Sequence, residues 1–130
     1  MPSLEGVTVG VLGAGAMGTG IAQVAATAGH AVVVVDAFAA SLDKAKQGIE
    51  KSLAREVEKG RLDQARAGDV QKRLRFETSV GEDLGAFRDC GLVIEAIVEE
   101  VSAARNFAKR FTILIRLKRF WTISRFILKP

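Results

Sequence analysis

The chain has one cysteine, one histidine and two prolines in 130 residues, and each scarcity closes off a class of chemistry. A lone Cys90 cannot form an intramolecular disulfide, which points to a reducing compartment, the cytoplasm. An isolated cysteine in an apolar stretch reads as a small buried core residue rather than a reactive thiol. With one histidine, His30, acid–base work by imidazole rests on that residue or is absent, and its place beside Gly29 marks a turn. No basic segment followed by an apolar run opens the chain, so no secretory signal is expected. No window approaches the roughly 18 uninterrupted apolar residues of a membrane span. Internal repeats and low-complexity tracts are also missing.

Acidic residues are absent from one region only. Residues 1–101 hold 11 Lys/Arg and 15 Asp/Glu, a net charge of −4, whereas residues 102–130 hold 8 Lys/Arg and no acid, a net charge of +8. Five of the eight Phe and Trp residues crowd into the same segment: Phe107, Phe111, Phe120, Trp121 and Phe126. The overall charge of +4 therefore averages two unlike parts, and the composition predicts a domain over residues 1–101 followed by a basic tail over 102–130. At 48% hydrophobic and 26% charged residues, the whole suits one folded domain rather than a disordered chain.

Within the first hundred residues, apolar runs alternate with helical periodicity. Val7–Leu12 reads as a buried strand, Met17–Ala28 as a helix closed by Gly29, and Ala31–Val35 as a strand covered on both faces. Ser41 is the expected N-cap of a long helix to about Lys59, with Leu42, Ala45, Ile49, Leu53 and Val57 on one face and Gly60 ending it. A weaker helical piece over Leu62–Leu74, interrupted by Gly68, precedes a short strand in Arg75–Val80. A polar helix near Glu82–Arg88 and a strand over Gly91–Glu99 follow. The order β-α-β-α-α-β-α-β predicts an α/β fold with a doubly wound parallel sheet, incomplete at its C-terminal end.

The glycines sit where such a fold binds a ligand. Gly13, Gly15 and Gly18 form G-x-G-x-x-G between the first strand and the first helix, the context that turns a weak pattern into a specific one. Gly13 permits a tight turn off the strand, Gly15 lets a pyrophosphate approach the backbone, and Gly18 permits close packing of the helix. Unpaired N–H groups at the helix start and the helix dipole favour phosphate charge. Asp36 ends the second strand, where a carboxylate accepts the ribose hydroxyls of an adenosine and repels a 2′-phosphate. The expectation is a Rossmann-type site for NAD(H) rather than NADP(H).

With "VGVLGAGAMGTGIAQVAATAGHAVVVVD", "GIEKSLAREVEKGRL" and "GLVIEAIVEE" in view, residues 5–101 resemble the N-terminal domain of the 3-hydroxyacyl-CoA dehydrogenases, including the 3-hydroxybutyryl-CoA enzymes. The resemblance implies an oxidoreductase that interconverts 3-hydroxyacyl-CoA and 3-oxoacyl-CoA in fatty acid metabolism, with NAD as cofactor. It assigns Gly13, Ala14, Gly15, Ala16, Met17 and Gly18 to the phosphate loop, Asp36 to the adenosine ribose, and Glu99 to a further cofactor contact. Ser52 and Lys59 match residues that hold the CoA portion of the substrate; seven apart, they share one helix face. The resemblance also implies a homodimer for the complete enzyme. Other readings of the same loop are a non-catalytic dinucleotide-binding module and the NAD domain of another dehydrogenase.

The resemblance stops near the change in composition. Where family members carry a lysine five residues beyond the Glu99 position, this chain has Ala104, with Arg105 beside it. The His-Phe-Phe-Asn-Pro segment that supplies the catalytic histidine has no counterpart, nor does the helical second domain, so no catalytic residue is assigned and turnover by this chain alone is not expected. Because the break in composition and the break in resemblance coincide, a shifted reading frame from about Phe107 is one expectation for the tail. The other is a functional segment in which Phe107, Phe111, Leu114 and Leu117 share a helical face for an anionic membrane or nucleic acid; neither partner is expected of the chain as a whole.

Overall fold

A computed structural model describes residues 5–79, 85–96, 109–117 and 120–128, the last two segments as backbone only. Its centre is a six-stranded sheet of order β3-β2-β1-β4-β5-β6. The strands are β1 (Val9–Leu12), β2 (Val32–Asp36), β3 (Leu74–Thr78), β4 (Leu92–Glu95), β5 (Lys109–Leu117) and β6 (Phe120–Leu128). The first four pair in parallel. The chain starts at the middle of the sheet, builds outward through β2 and β3, then crosses back to place β4 on the other side of β1. Parallel strands joined by helices are the Rossmann-type, doubly wound arrangement expected from the sequence.

Strand burial follows from composition. All four valines of β2 are buried, and they alternate between two cores. Val32 and Val34 join Val9, Val11 and the helices on one face, whereas Val33 and Val35 pack with Phe87, Cys90 and Val93 on the other. A strand wet on one side would alternate with polar residues; this one is covered on both. Cys90 is 4% exposed and serves the second core as a small apolar group.

Three helices cover the first face: α1 (Ala16–Thr27), α2 (Ala39–Glu58) and α3 (Gln64–Arg73). The buried positions of α2, Leu42, Ala45, Ile49 and Leu53, are the stripe read from the sequence, with Val57 packed beside them. Gly29 and Gly60 end α1 and α2 with φ of 104° and 70°. His30 N–H returns to Ala25 O and Gly29 N–H to Ala26 O, the paired bonds of a Schellman cap. Arg73, at the end of α3, donates to Ala26 O at 3.1 Å and so pins the last turn of α1.

Several elements differ in detail from the sequence-based expectations. Helix α2 starts at Ala39, with Phe38 and not Ser41 at the N-cap. The reason is Asp36, whose Oδ1 accepts the Phe38 N–H at 2.9 Å and turns the chain into the helix early. Ser41 then lies inside the first turn, its N–H bonded to Phe38 O. Gly68 does not interrupt α3, which Asp63 caps by accepting the Arg66 N–H at 2.8 Å. Within the expected helix near Glu82–Arg88, the described residues form a single 3-10 turn, Gly85–Phe87, and residues 82–84 lie outside the described set. The strand expected over Gly91–Glu99 is described for Leu92–Glu95.

Over its described residues, Lys109–Leu117 and Phe120–Leu128, the tail forms antiparallel strands rather than a helix. β5 pairs antiparallel with β4, and β6 antiparallel with β5. The helical face proposed for Phe111, Leu114 and Leu117 is therefore absent, because these residues occupy a strand; Phe107 lies outside the described residues. β-Branched and aromatic residues fill the segment, and they favour extended chain.

Candidate cofactor site

The parallel strands end on one edge of the sheet at Leu12, Asp36, Thr78 and Glu95, and the glycine loop lies on that edge. Gly13 leaves β1 with φ of 105°, a conformation open to glycine, and its N–H is held by Val35 O at 2.8 Å. On the other side, Ala96 N–H donates to Leu12 O at 2.7 Å. The loop is therefore anchored to both neighbouring strands as it enters α1.

The two later glycines differ in what they allow. A Cβ on Gly18 would lie 1.7 Å from Gly13 O and 2.9 Å from Gly13 C, both backbone atoms. Only a hydrogen fits between the first turn of α1 and the loop. Gly15 is the opposite case: it is exposed, sits at the N-cap with φ of −70°, and a Cβ there would meet nothing within 4 Å. Its bareness serves nothing inside the domain and leaves the backbone open from outside.

Helix α1 has no side-chain cap and no acidic residue in its first turn. The first N–H groups of any helix lack intrahelical partners, so those of Ala16, Met17 and Gly18 form a positive end without an internal counter-charge. Together with the open side of Gly15, this is a place for an anion brought by a ligand.

Asp36 closes the site. Its Oδ2 accepts the Ala14 N–H at 2.8 Å and its Oδ1 the Phe38 N–H at 2.9 Å. The carboxylate thereby ties the loop to the start of α2. A carboxylate oxygen accepts more than one hydrogen bond, so both oxygens keep lone pairs for a pair of hydroxyls. Thr19 adds a smaller brace, its hydroxyl donating to Ala14 O at 3.2 Å. The loop–acid geometry fits the adenosine, ribose and pyrophosphate of a dinucleotide.

The remaining candidates fall elsewhere. Ser52 is half-buried in α2 and its Oγ accepts a hydrogen bond from Gln23 Nε2 of α1 at 2.9 Å. Gln23 carried no signal of its own in the sequence, because helix periodicity does not reveal which polar residues face each other across a helix pair. Lys59 is exposed at the C-cap of α2. At the helical rise per residue, Ser52 is about 20 Å and Lys59 about 30 Å along α2 from the Asp36 end. The fold thus groups the loop with Asp36 and sets Ser52 and Lys59 apart from them. Glu99, Ala104 and Arg105 lie outside the described residues.

His30 is also remote from the loop. Its Nδ1 lies 2.9 Å from Val7 O; a carbonyl only accepts, so the ring donates there, before the start of β1. An apolar groove of about 580 Å³ runs from Ala16 and Met17 along α1 and β4 to this histidine, which among the described residues is the one titratable side chain lining it. Among the described residues, no group of three His, Cys, Asp or Glu is placed to hold a metal ion. No helix among them is long and apolar enough to cross a membrane.

These features define a dinucleotide-binding domain of the Rossmann type. The family described as "3-hydroxyacyl-CoA dehydrogenase, NAD binding domain" matches residues 8–116, and the chain belongs to that family, whose cofactor is NAD. The match continues past the composition change near Val101. A probable 3-hydroxybutyryl-CoA dehydrogenase of Deinococcus radiodurans is 46% identical over 107 residues, covering 82% of this chain and 37% of its own. The human mitochondrial hydroxyacyl-coenzyme A dehydrogenase is 41% identical over 104 residues, covering 78% of this chain and 33% of its own.

Among solved structures, the Escherichia coli 3-hydroxybutyryl-CoA dehydrogenase has a TM-score of 0.66 at 40% identity, covering 74% of this chain and 20% of that one. The (S)-3-hydroxybutyryl-CoA dehydrogenase of Ralstonia eutropha gives 0.65 at 37% identity, with coverages of 71% and 31%. The chain spans about a third of the length of the curated relatives it matches.

Proposed function

We propose that this chain supplies the NAD(H)-binding part of an enzyme that interconverts 3-hydroxyacyl-CoA and 3-oxoacyl-CoA. When bound, the nicotinamide supplies the acceptor or donor of a hydride exchanged with C3 of the acyl group. The chain's own residues bind and orient. The N–H groups at the start of α1 hold the pyrophosphate, the open side of Gly15 admits it, and Asp36 accepts the adenosine-ribose hydroxyls while its charge rejects a 2′-phosphate. The carrying observation is the Asp36 carboxylate fixed between Ala14 and Phe38.

Ser52 and Lys59 are proposed to meet the CoA portion, Lys59 as a cation for phosphate. Their distance from the loop suits an extended substrate whose reacting end lies near the cofactor and whose nucleotide end lies along α2. Glu99 is proposed as a further cofactor contact. The chain alone is expected to bind NAD(H) weakly and not to turn over, since it has no counterpart of the family's His-Phe-Phe-Asn-Pro segment and its one histidine precedes β2, at the end of the sheet opposite the glycine loop. The complete enzyme is proposed to act as a homodimer.

Titration with NADH, with NADPH and with the Asp36→Ala variant tests the cofactor assignment; an unchanged affinity in the variant would overturn it. Assay with 3-hydroxybutyryl-CoA and NAD tests the second half. Robust turnover by the 130-residue chain would refute the statement that its acid–base group is missing.

A further inference from the structure

Phe38 is an anomaly on two counts. It occupies the N-cap of α2, where Ser, Thr, Asp or Asn is favoured because their side chains accept from the first-turn N–H groups, and α2 has neither a side-chain cap nor an acid in its first turn. It is also 71% exposed; among the described residues only Val24 is another large apolar side chain left so open. An aromatic ring in water at a position that wants a small polar residue gains the isolated domain nothing.

Its position suggests what it does gain. The Phe38 N–H donates to Oδ1 of Asp36 at 2.9 Å, so the backbone bearing the ring is tied to the carboxylate that also holds Ala14. Adenine hangs from C1′ of the ribose whose hydroxyls that carboxylate would accept, which brings the base to the same short stretch of chain. We propose that the Phe38 ring is one wall of the adenine site, stacking on the base of NAD(H); the proposal rests on the cofactor reading of Asp36. Stacking on an aromatic side chain tolerates any purine or pyrimidine, and its loss on truncation lowers affinity by about five- to a hundredfold.

The test uses the intact chain with Phe38→Ser, Phe38→Tyr and Asp36→Ala, titrated with NADH and with ADP-ribose. Serine restores a capping side chain, so Phe38→Ser is expected to fold with an unchanged or higher Tm while losing about five- to a hundredfold in affinity for both ligands. Phe38→Tyr keeps the ring and is expected to bind like the parent. The adenine H2 and H8 resonances of bound ADP-ribose should show a ring-current shift with the parent that disappears with Phe38→Ser.

Undiminished ADP-ribose affinity in Phe38→Ser, with binding lost in Asp36→Ala, overturns the role of Phe38 and leaves the cofactor reading standing. Failure of the parent chain to bind either ligand overturns both. A change in sedimentation without a change in affinity assigns the ring to a protein contact and also overturns the proposal.

Discussion

Ala14 and Asp36, separated by 22 residues, are joined by a 2.8 Å hydrogen bond from the Ala14 amide to Oδ2 of the carboxylate. The bond makes Asp36 a structural part of the glycine loop as well as its candidate ribose ligand. Ala14 is 5% exposed, so losing the acceptor strands a buried N–H. A hydrogen bond to a charged group contributes about 1.5–3 kcal/mol, and the partial exposure of Asp36 places the loss for Asp36→Ala near the lower end. Asp36→Asn, which keeps one acceptor oxygen, is expected to lose less. Urea unfolding of the three proteins checks the order; equal midpoints would mean that the bond contributes nothing.

Gly15 and Gly18 provide a contrast within one motif. Alanine at Gly18 would drive a Cβ into Gly13 O, so Gly18→Ala is expected to destabilise the domain by about 1–3 kcal/mol and to lose NADH binding as well. Alanine at Gly15 meets no protein atom. Gly15→Ala is expected to keep stability within about 0.5 kcal/mol, yet to weaken NADH at least tenfold by filling the phosphates' approach. Thermal melts with and without NADH separate the two effects.

The hydrogen bond between Gln23 and Ser52 connects α1 to α2. A double-mutant cycle of Gln23→Ala and Ser52→Ala is expected to give a coupling of about 0.5–1.5 kcal/mol. If Ser52 also holds CoA, Ser52→Ala in the complete enzyme weakens acyl-CoA binding more than Gln23→Ala does. Equal effects would reduce Ser52 to a helix-packing residue.

Gly10 lies against the second core. A Cβ there would come within 2.5 Å of Phe87 Cδ1 and 3.2 Å of Cys90 Sγ. Gly10→Ala is therefore expected to cost about 1–3 kcal/mol by overpacking. Combining it with Phe87→Leu should cost less than the sum of the two, because the smaller side chain makes room; chemical unfolding of the four proteins of the cycle measures this.

The parallel core and the edge that carries the glycine loop were legible because β1, β2 and β4 are short apolar runs, the Leu42-to-Val57 stripe has helical period, and Gly13, Gly15, Gly18 and Asp36 have fixed places in a strand–loop–helix–strand unit. The start of α2 was not legible: Ser41 is the better cap by residue type, but the Asp36 carboxylate captured the Phe38 amide first. That is a tertiary effect of a strand-end side chain, outside the reach of local preference. The antiparallel pair of β5 and β6 was missed for a related reason. Spacing in Phe111, Leu114 and Leu117 fits a helix turn, while the β-branched and aromatic neighbours favour the extended chain that pairs with β4. The Gln23–Ser52 contact has no sequence signature, since it depends on how α1 and α2 pack.

The most direct test of the central claim is calorimetric titration of the folded 130-residue chain with NADH and with NADPH under identical conditions. Saturable binding of NADH, at least tenfold tighter than NADPH, with the preference abolished by Asp36→Ala, is the expected result. Absence of NADH binding to the folded chain, or equal affinity for the two cofactors, would contradict it.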